Sequence, residues 1–158
     1  MTTRNLRRAR PDEAGVLTDL AMAAKAFWGY DDAFMEACRD EMTFDPADVA
    51  ARHVVVAEID GVVTGFYSVD GTPPAGELGN MWVRPDAIGT GLGRVLWLDA
   101  LATALDLGHE HLDIDADPFA EGFYLRMGAE RIGETPSGSI PGRILPLLRI
   151  AVPRAVGS

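Results

Sequence analysis

Glu77-Leu-Gly-Asn-Met-Trp-Val-Arg-Pro-Asp-Ala-Ile-Gly-Thr-Gly-Leu-Gly-Arg94 is the stretch whose reading decides the fold. Its opening, Glu77–Val83, reads as a strand that Arg84-Pro85 terminates. Glycines at 89, 91 and 93 then form a turn leading into a helix that runs through Leu107, with Gly108 as its stop. Leu92, Val95, Leu96, Leu98, Leu101, Ala102 and Leu105 give that helix a broad apolar face, so it lies on a sheet. A glycine turn leaves its N–H groups free of side-chain cover, and the helix start points its positive end at the same place. Such a turn can cradle a phosphate or a diphosphate. It is not a dinucleotide fingerprint, because the sixth position of G-x-G-x-x-G is Arg94 and no first βαβ unit surrounds it. It is not a nucleotide-triphosphate loop either, since the terminal Gly-Lys-Ser/Thr is absent. The competing reading is a turn that only packs the helix tightly on the sheet.

Outward from this stretch the chain alternates in type. Residues 4–10 read as a first strand stopped by Pro11, and from Asp12 the apolar positions Val16, Leu17, Leu20, Ala21 and Ala24 follow helical spacing. A shorter helix follows at Asp31–Asp40, and Phe44–Ala51 reads as a loop with a helical turn opened by Asp45-Pro46. His53–Ile59 and Val62–Val69 are strands joined by Asp60-Gly61, a strong hairpin signal. Downstream, His111–Ala116 is a strand, and Asp117-Pro118 reads as the N-cap and first position of a helix to Met127. Ala129–Gly133 and Ile144–Val152 complete the strands, with the polar loop Thr135–Gly142 between them. The expectation is one α+β domain over 1–158, with seven strands and about four helices.

The second informative segment is Asp117-Pro-Phe-Ala-Glu-Gly-Phe-Tyr-Leu-Arg-Met-Gly128-Ala129. Together with the glycine turn it resembles the GNAT acetyltransferase superfamily, with its V-x-P-x-x-x-G-x-G-x-G loop and its N-x-x-A-x-x-F-Y-x-x-x-G-F/A segment. The resemblance implies a mixed sheet, splayed open between its fourth and fifth strands (76–84 and 111–116), with the pantetheine arm of acetyl-CoA in the gap. By the same resemblance Met81, Trp82 and Val83, the loop residues Ile88, Gly89, Thr90, Gly91, Leu92, Gly93 and Arg94, and Asp117 bind the donor. Two positions depart from the pattern. Ile88 stands where the family usually has Arg or Gln, and Asp117 where it usually has Asn. Neither change removes a backbone donor, and Arg94 or Arg84 can replace the missing side chain at the diphosphate.

Forming an amide from a thioester needs a neutral amine, a held oxyanion and a leaving thiolate. An alkyl ammonium has a pKa of about 10.4, so neutral pH demands a base or a proton wire. Glu77 matches the family position that deprotonates the amine, often through water; His53, His109 and His111 are the other candidates. Tyr124 matches the tyrosine that protonates the thiolate. A backbone N–H within Met81–Val83, left unpaired by the splay, would hold the oxyanion. Trp28 and Tyr30 suit an aromatic wall for the acceptor, and Arg143 suits a clamp for an acceptor carboxylate, each against an ordinary packing or loop role. Cys38 has no activating neighbour in sequence and reads as core.

Composition agrees with a globular domain: 158 residues, 47% hydrophobic and 24% charged. The formal net charge of −10 argues against nucleic acid and leaves room for a cationic amine, small-molecule or peptide. A single cysteine excludes an internal disulfide and a cysteine-rich metal site; no metal is expected. The N-terminus lacks a secretory pattern and no apolar run is long enough to span a bilayer, so cytoplasmic residence is the expectation. The family resemblance also admits a homodimer through the C-terminal strand. The alternative to an enzyme is a CoA-binding domain that senses acyl-CoA or supports an oligomer.

Overall fold

The computed structural model describes residues 2–153. Its strands are β1 (Arg4–Arg8), β2 (His53–Ile59), β3 (Val62–Asp70), β4 (Ala75–Val83), β5 (His111–Asp115), β6 (Glu130–Pro136) and β7 (Ile144–Ala151). Its helices are α1 (Ala14–Ala26), α2 (Asp32–Met42), α3 (Pro46–Ala51), α4 (Leu92–Asp106) and α5 (Glu121–Arg126), with 3-10 turns at Pro11–Glu13 and Pro85–Ala87. All seven strands join one mixed sheet in the order β1-β2-β3-β4-β5-β7-β6, antiparallel except for β4 beside β5.

Alternation along the strands divides the core in two. Val55, Ala57, Tyr67 and Val69 face α4 and α5 and pack with Leu92, Leu96, Trp97 and Tyr124. Val54, Val56 and Phe66 face α1 to α3 and pack with Leu17, Leu20, Cys38 and Val49. Trp97 and Leu17, almost wholly removed from water, each contribute on the order of 2–3 kcal/mol by burial. The sheet is thus covered on both faces, and a ligand reaches its middle only where two strands part.

That parting lies between β4 and β5. Their parallel pairing covers only Ala75↔His111, Gly76↔Leu112 and Glu77↔Asp113. Beyond Glu77, β4 continues beside β3, while β5 turns its other edge to β7. The splay expected from the resemblance is present, and Glu77 and Asp113 stand at its vertex.

Three boundaries differ from the sequence reading. Residues 46–51 form a true helix, because Asp45 accepts the Asp48 N–H at 2.7 Å and Asp48 accepts the Asp45 N–H at 2.9 Å, a reciprocal cap; the helices number five rather than four. The helix expected from Pro118 starts at Glu121. Asp117 does accept the Phe119 N–H at 2.9 Å, but it opens a turn and spends the rest of its carboxylate on distant side chains. Finally, β6 extends through Pro136, because Arg131–Pro136 finds a partner in β7 that no local pattern reveals.

Candidate active site

The glycine turn is built as a bare-amide cradle. Gly89 and Gly91 adopt φ of 83° and 86°, values that a residue with a Cβ reaches only under strain, and Gly91 is the N-cap of α4. A Cβ added at either would meet nothing within 4 Å, so the space above the turn is open. The amides of Ile88 and Thr90 are taken by Pro85 O and Ala87 O at 3.4 and 3.3 Å. Those of Gly89, Gly91, Leu92, Gly93 and Arg94 have no backbone acceptor among the described residues, and the next amide, Val95, closes the first helical bond to Gly91 O. Five of the seven loop positions therefore offer free donors at the positive end of a 15-residue helix. Ile88 is exposed and adds no charge, and Arg84 is held by Asp86 at 2.8 Å. Arg94 is exposed and forms no ion pair among the described residues, which leaves it the cation nearest the cradle in sequence.

From the turn the path to the gap is short. Gly93 sits under the Phe123 ring, where a Cβ would come within 3.4 Å, and Phe123 packs edge-on against Tyr124 at 5.4 Å. Tyr124 is 7% exposed and borders a cavity of about 340 Å³ that fills the splay. Burial, followed by the nearby Asp117 charge, raises its phenol pKa well above the ordinary range. Its hydroxyl, unlike those of Tyr30 and Tyr67, takes no protein hydrogen bond among the described residues. On the facing wall, Arg84 gives its N–H to Thr64 O at 2.8 Å across the β3–β4 ladder. Donors alternate along an antiparallel ladder, so the Met81 and Val83 amides point away from β3 into the gap, where β5 has already left.

Glu77 lines the same cavity from the vertex. Just beyond it, β4 carries an extra residue. Ser68 pairs with Asn80 and Val69 with Leu78, which leaves Gly79 bulged. A side chain at Gly79 would overlap the Asp70 carboxylate. That carboxylate takes two bonds from Arg52, at 2.9 and 2.7 Å, and one from Ser68 Oγ at 3.0 Å. Ser68 Oγ in turn accepts from Asn80 at 3.0 Å, and Asn80 accepts the Trp82 indole N–H at 3.1 Å. This partly buried chain of bonds fixes the bulge and the Asn80 and Trp82 side chains.

A second network centres on Asp117 in the cavity lining. Asp117, 9% exposed, accepts from Lys25 at 3.1 Å and from Tyr30 at 3.0 Å, and it pairs with Arg143 at 3.4 Å. Arg143 also donates to Tyr30 Oη at 2.6 Å. Burial and the Asp117 charge push the Tyr30 pKa up to about 12. Tyr30 stacks on Phe34 at 4.0 Å, and Trp28 lies 5.8 Å from both Trp82 and Phe119. The network ties α1, the segment after it, the turn after β5 and the β6–β7 loop into one wall.

Of the residues expected at the site, Glu77, Met81, Trp82, Asp117, Tyr124, Trp28 and Arg143 line the cavity. Tyr30 does not, its hydroxyl being turned onto Asp117, and neither do Val83 and the turn residues Ile88, Gly89, Thr90, Gly91, Leu92, Gly93 and Arg94. Arg143 is likewise engaged by Asp117 rather than standing free. None of His53, His109 and His111 borders the cavity, and His109 is buried, with its Nδ1 unpartnered among the described residues. Cys38 is buried as expected and touches the cavity edge. Reading the sequence missed Lys25, Glu41, Arg52, Asp70, Asn80, Asp113 and Asp115. Only Lys25 carried a local signal, as the one lysine in the chain.

The parted sheet beside a glycine turn at a helix start is the arrangement the sequence resemblance implied. Residues 18–129 match the acetyltransferase (GNAT) family. The chain belongs to that family.

Solved structures agree. The fold is similar to the paiA N-acetyltransferase of Thermoplasma acidophilum in complex with coenzyme A, at 14% identity and TM-score 0.78 over 94% of this chain and 99% of that one. It is also similar to a GCN5-related N-acetyltransferase from Rhodopseudomonas palustris, at 25% identity and TM-score 0.78 over 94% and 96%. The yncA protein of Salmonella typhimurium, solved with acetyl-CoA, matches at 19% identity and TM-score 0.66 over 99% and 98%.

Proposed function

We propose that this chain moves an acetyl group from acetyl-CoA to a primary amine, by direct attack within a ternary complex. The observation that carries the reading is the gap itself. It brings the unpaired β4 edge, Glu77 and the Tyr124 hydroxyl around one cavity, with the bare-amide turn next to it. The five free amides and Arg94 would receive the diphosphate, and the pantetheine arm would lie along the β4 edge between β4 and β5.

The chemistry then follows from the residues in place. Glu77 accepts a proton from the bound ammonium, directly or through water, and frees the nitrogen lone pair. The nitrogen attacks the thioester carbon, and the carbonyl oxygen gains negative charge that the Met81 or Val83 amide stabilises. As the intermediate collapses, the C–S bond breaks and the C–N bond remains. The Tyr124 hydroxyl donates a hydrogen bond to the departing sulfur, and the second proton released by the nitrogen goes to the thiolate. The products are the N-acetyl amine, CoA thiol and one proton held by Glu77.

Release of CoA thiol, followed with a thiol reagent across a panel of amines, tests the reading. Amine-dependent release is the expected result. Tight CoA binding without release from any amine would instead describe an acyl-CoA sensor.

A further inference from the structure

The transferase reading leaves the acceptor open, and the charge of the cavity narrows it. Asp70 on β3 is the register partner of Glu77 on β4, and Glu77 is the partner of Asp113 on β5. Partners across neighbouring strands point to the same face, so these three carboxylates form a row across the sheet at the vertex of the splay. Asp115, two residues beyond Asp113, faces the same way, and Glu41 reaches in from α2.

Like charges on adjacent strands repel, and the protein neutralises only the ends of the row. Arg52 holds Asp70 with two bonds, and Arg149 holds Asp113 with two, at 2.6 and 3.0 Å. Glu77, between them, forms no ion pair among the described residues, although the Arg52 charge reaches it, and Asp115 forms none either. Glu41 meets only the Ser139 hydroxyl. The other two cations of the lining, Lys25 and Arg143, are both committed to Asp117. Six carboxylates thus line a cavity that holds three basic side chains. Trp28 and Trp82 add aromatic faces, which attract cations.

Resting on the transferase reading, we infer that the acceptor is an amine carrying a second positive charge and no carboxylate, a linear diamine or polyamine. One nitrogen is placed at Glu77 for attack, and the other is received by Asp115 and Glu41. The same carboxylates exclude amino acids, whose anionic end would be set against them. Burial, together with the Asp113 and Glu41 charges, raises the Asp115 pKa in the free protein, and a bound ammonium relieves that strain.

The test is a matched series that differs only at the end remote from the reacting nitrogen: putrescine, butylamine and γ-aminobutyrate, each with acetyl-CoA. The expected kcat/KM falls in that order. The diamine leads butylamine by about tenfold or more, the contribution of one charge-assisted hydrogen bond. In a Glu41→Gln, Asp115→Asn double variant the ratio of putrescine to butylamine drops toward one. Equal or better use of γ-aminobutyrate, or a diamine advantage unchanged in the double variant, overturns the inference and leaves the transferase standing. Failure of all three amines together with a wider panel overturns both.

Discussion

Replacing Tyr124 with phenylalanine removes a single hydroxyl from the cavity. The ring stays packed on Trp97 at 5.8 Å and on Phe123, and no protein group loses a hydrogen-bond partner. Stability should therefore move by less than about 0.5 kcal/mol. The effect on catalysis follows from acidity. The Tyr124 proton is held more tightly than that of an ordinary phenol, whose pKa is about 10, while a thiol has a pKa of about 8.5. Complete transfer to the thiolate is uphill, so the hydroxyl acts chiefly by donating a strong hydrogen bond as sulfur charge develops. Such a bond to a charged group is worth about 1.5–3 kcal/mol, which is a loss of roughly 10- to 150-fold in kcat. KM for acetyl-CoA should stay nearly unchanged, because the bond exists only as the C–S bond breaks. Because the raised pKa keeps the phenol protonated, the parent kcat profile should show no alkaline decline due to this group below about pH 10. The assay is steady-state release of CoA thiol from both proteins, with calorimetric melting as a control. A kcat within twofold of the parent, or a loss confined to KM, would refute the role.

Other perturbations separate the parts of the account. Gly91→Asp forces a side chain onto a φ of 86° at the start of α4, which should cost about 1–2 kcal/mol. It should also abolish CoA binding by repulsion, as a titration of the folded variant would show. Gly79→Ala pushes a methyl group into the Asp70 carboxylate and should lower stability by about 1–3 kcal/mol, with a parallel fall in turnover as the Arg52–Asp70 pair shifts. Glu13 is held at a pKa of about 2, first by its hydrogen bond from Arg7, against about 4.3 when unfolded. Its contribution, on the order of 2–3 kcal/mol, is fully present above pH 4.3 and lost as pH falls toward 2. Arg7→Met should remove most of that acid dependence in urea melts taken at successive pH values.

How much of this was legible in sequence follows from how local each cause is. Asp60-Gly61 forms its hairpin because both residues reach positive φ, 51° and 82°, a preference that belongs to those two residues alone. Gly89 and Gly91 declare the turn in the same way; α4 does lie on the sheet, but through Leu92, Leu96, Trp97, Ala100 and Ala104, while Leu98 and Ala102 of the face read from spacing are exposed. Asp117 shows the opposite case. Its local preference pointed to a helix cap, but Lys25 and Tyr30, 92 and 87 residues away, claim its carboxylate, and the helix begins four residues later. The Arg52–Asp70–Ser68–Asn80 chain is invisible until β2, β3 and β4 are in register, since none of its members is marked by spacing or composition. The acidic row has the same origin: Asp70, Glu77 and Asp113 are ordinary acidic residues in sequence and become neighbours only through strand pairing. The glycine turn rests on local backbone and was readable; the Asp117 network rests on distant side-chain pairs and was not.

The most direct measurement compares calorimetric binding of CoA with that of pantetheine, which shares the arm but lacks the diphosphate and nucleotide. If the free amides of Gly89, Gly91, Leu92, Gly93 and Arg94 grip the diphosphate, pantetheine should bind on the order of a hundredfold more weakly, the loss of two or more charge-assisted hydrogen bonds. Equal affinities, or no heat from CoA with folded protein, would contradict the account.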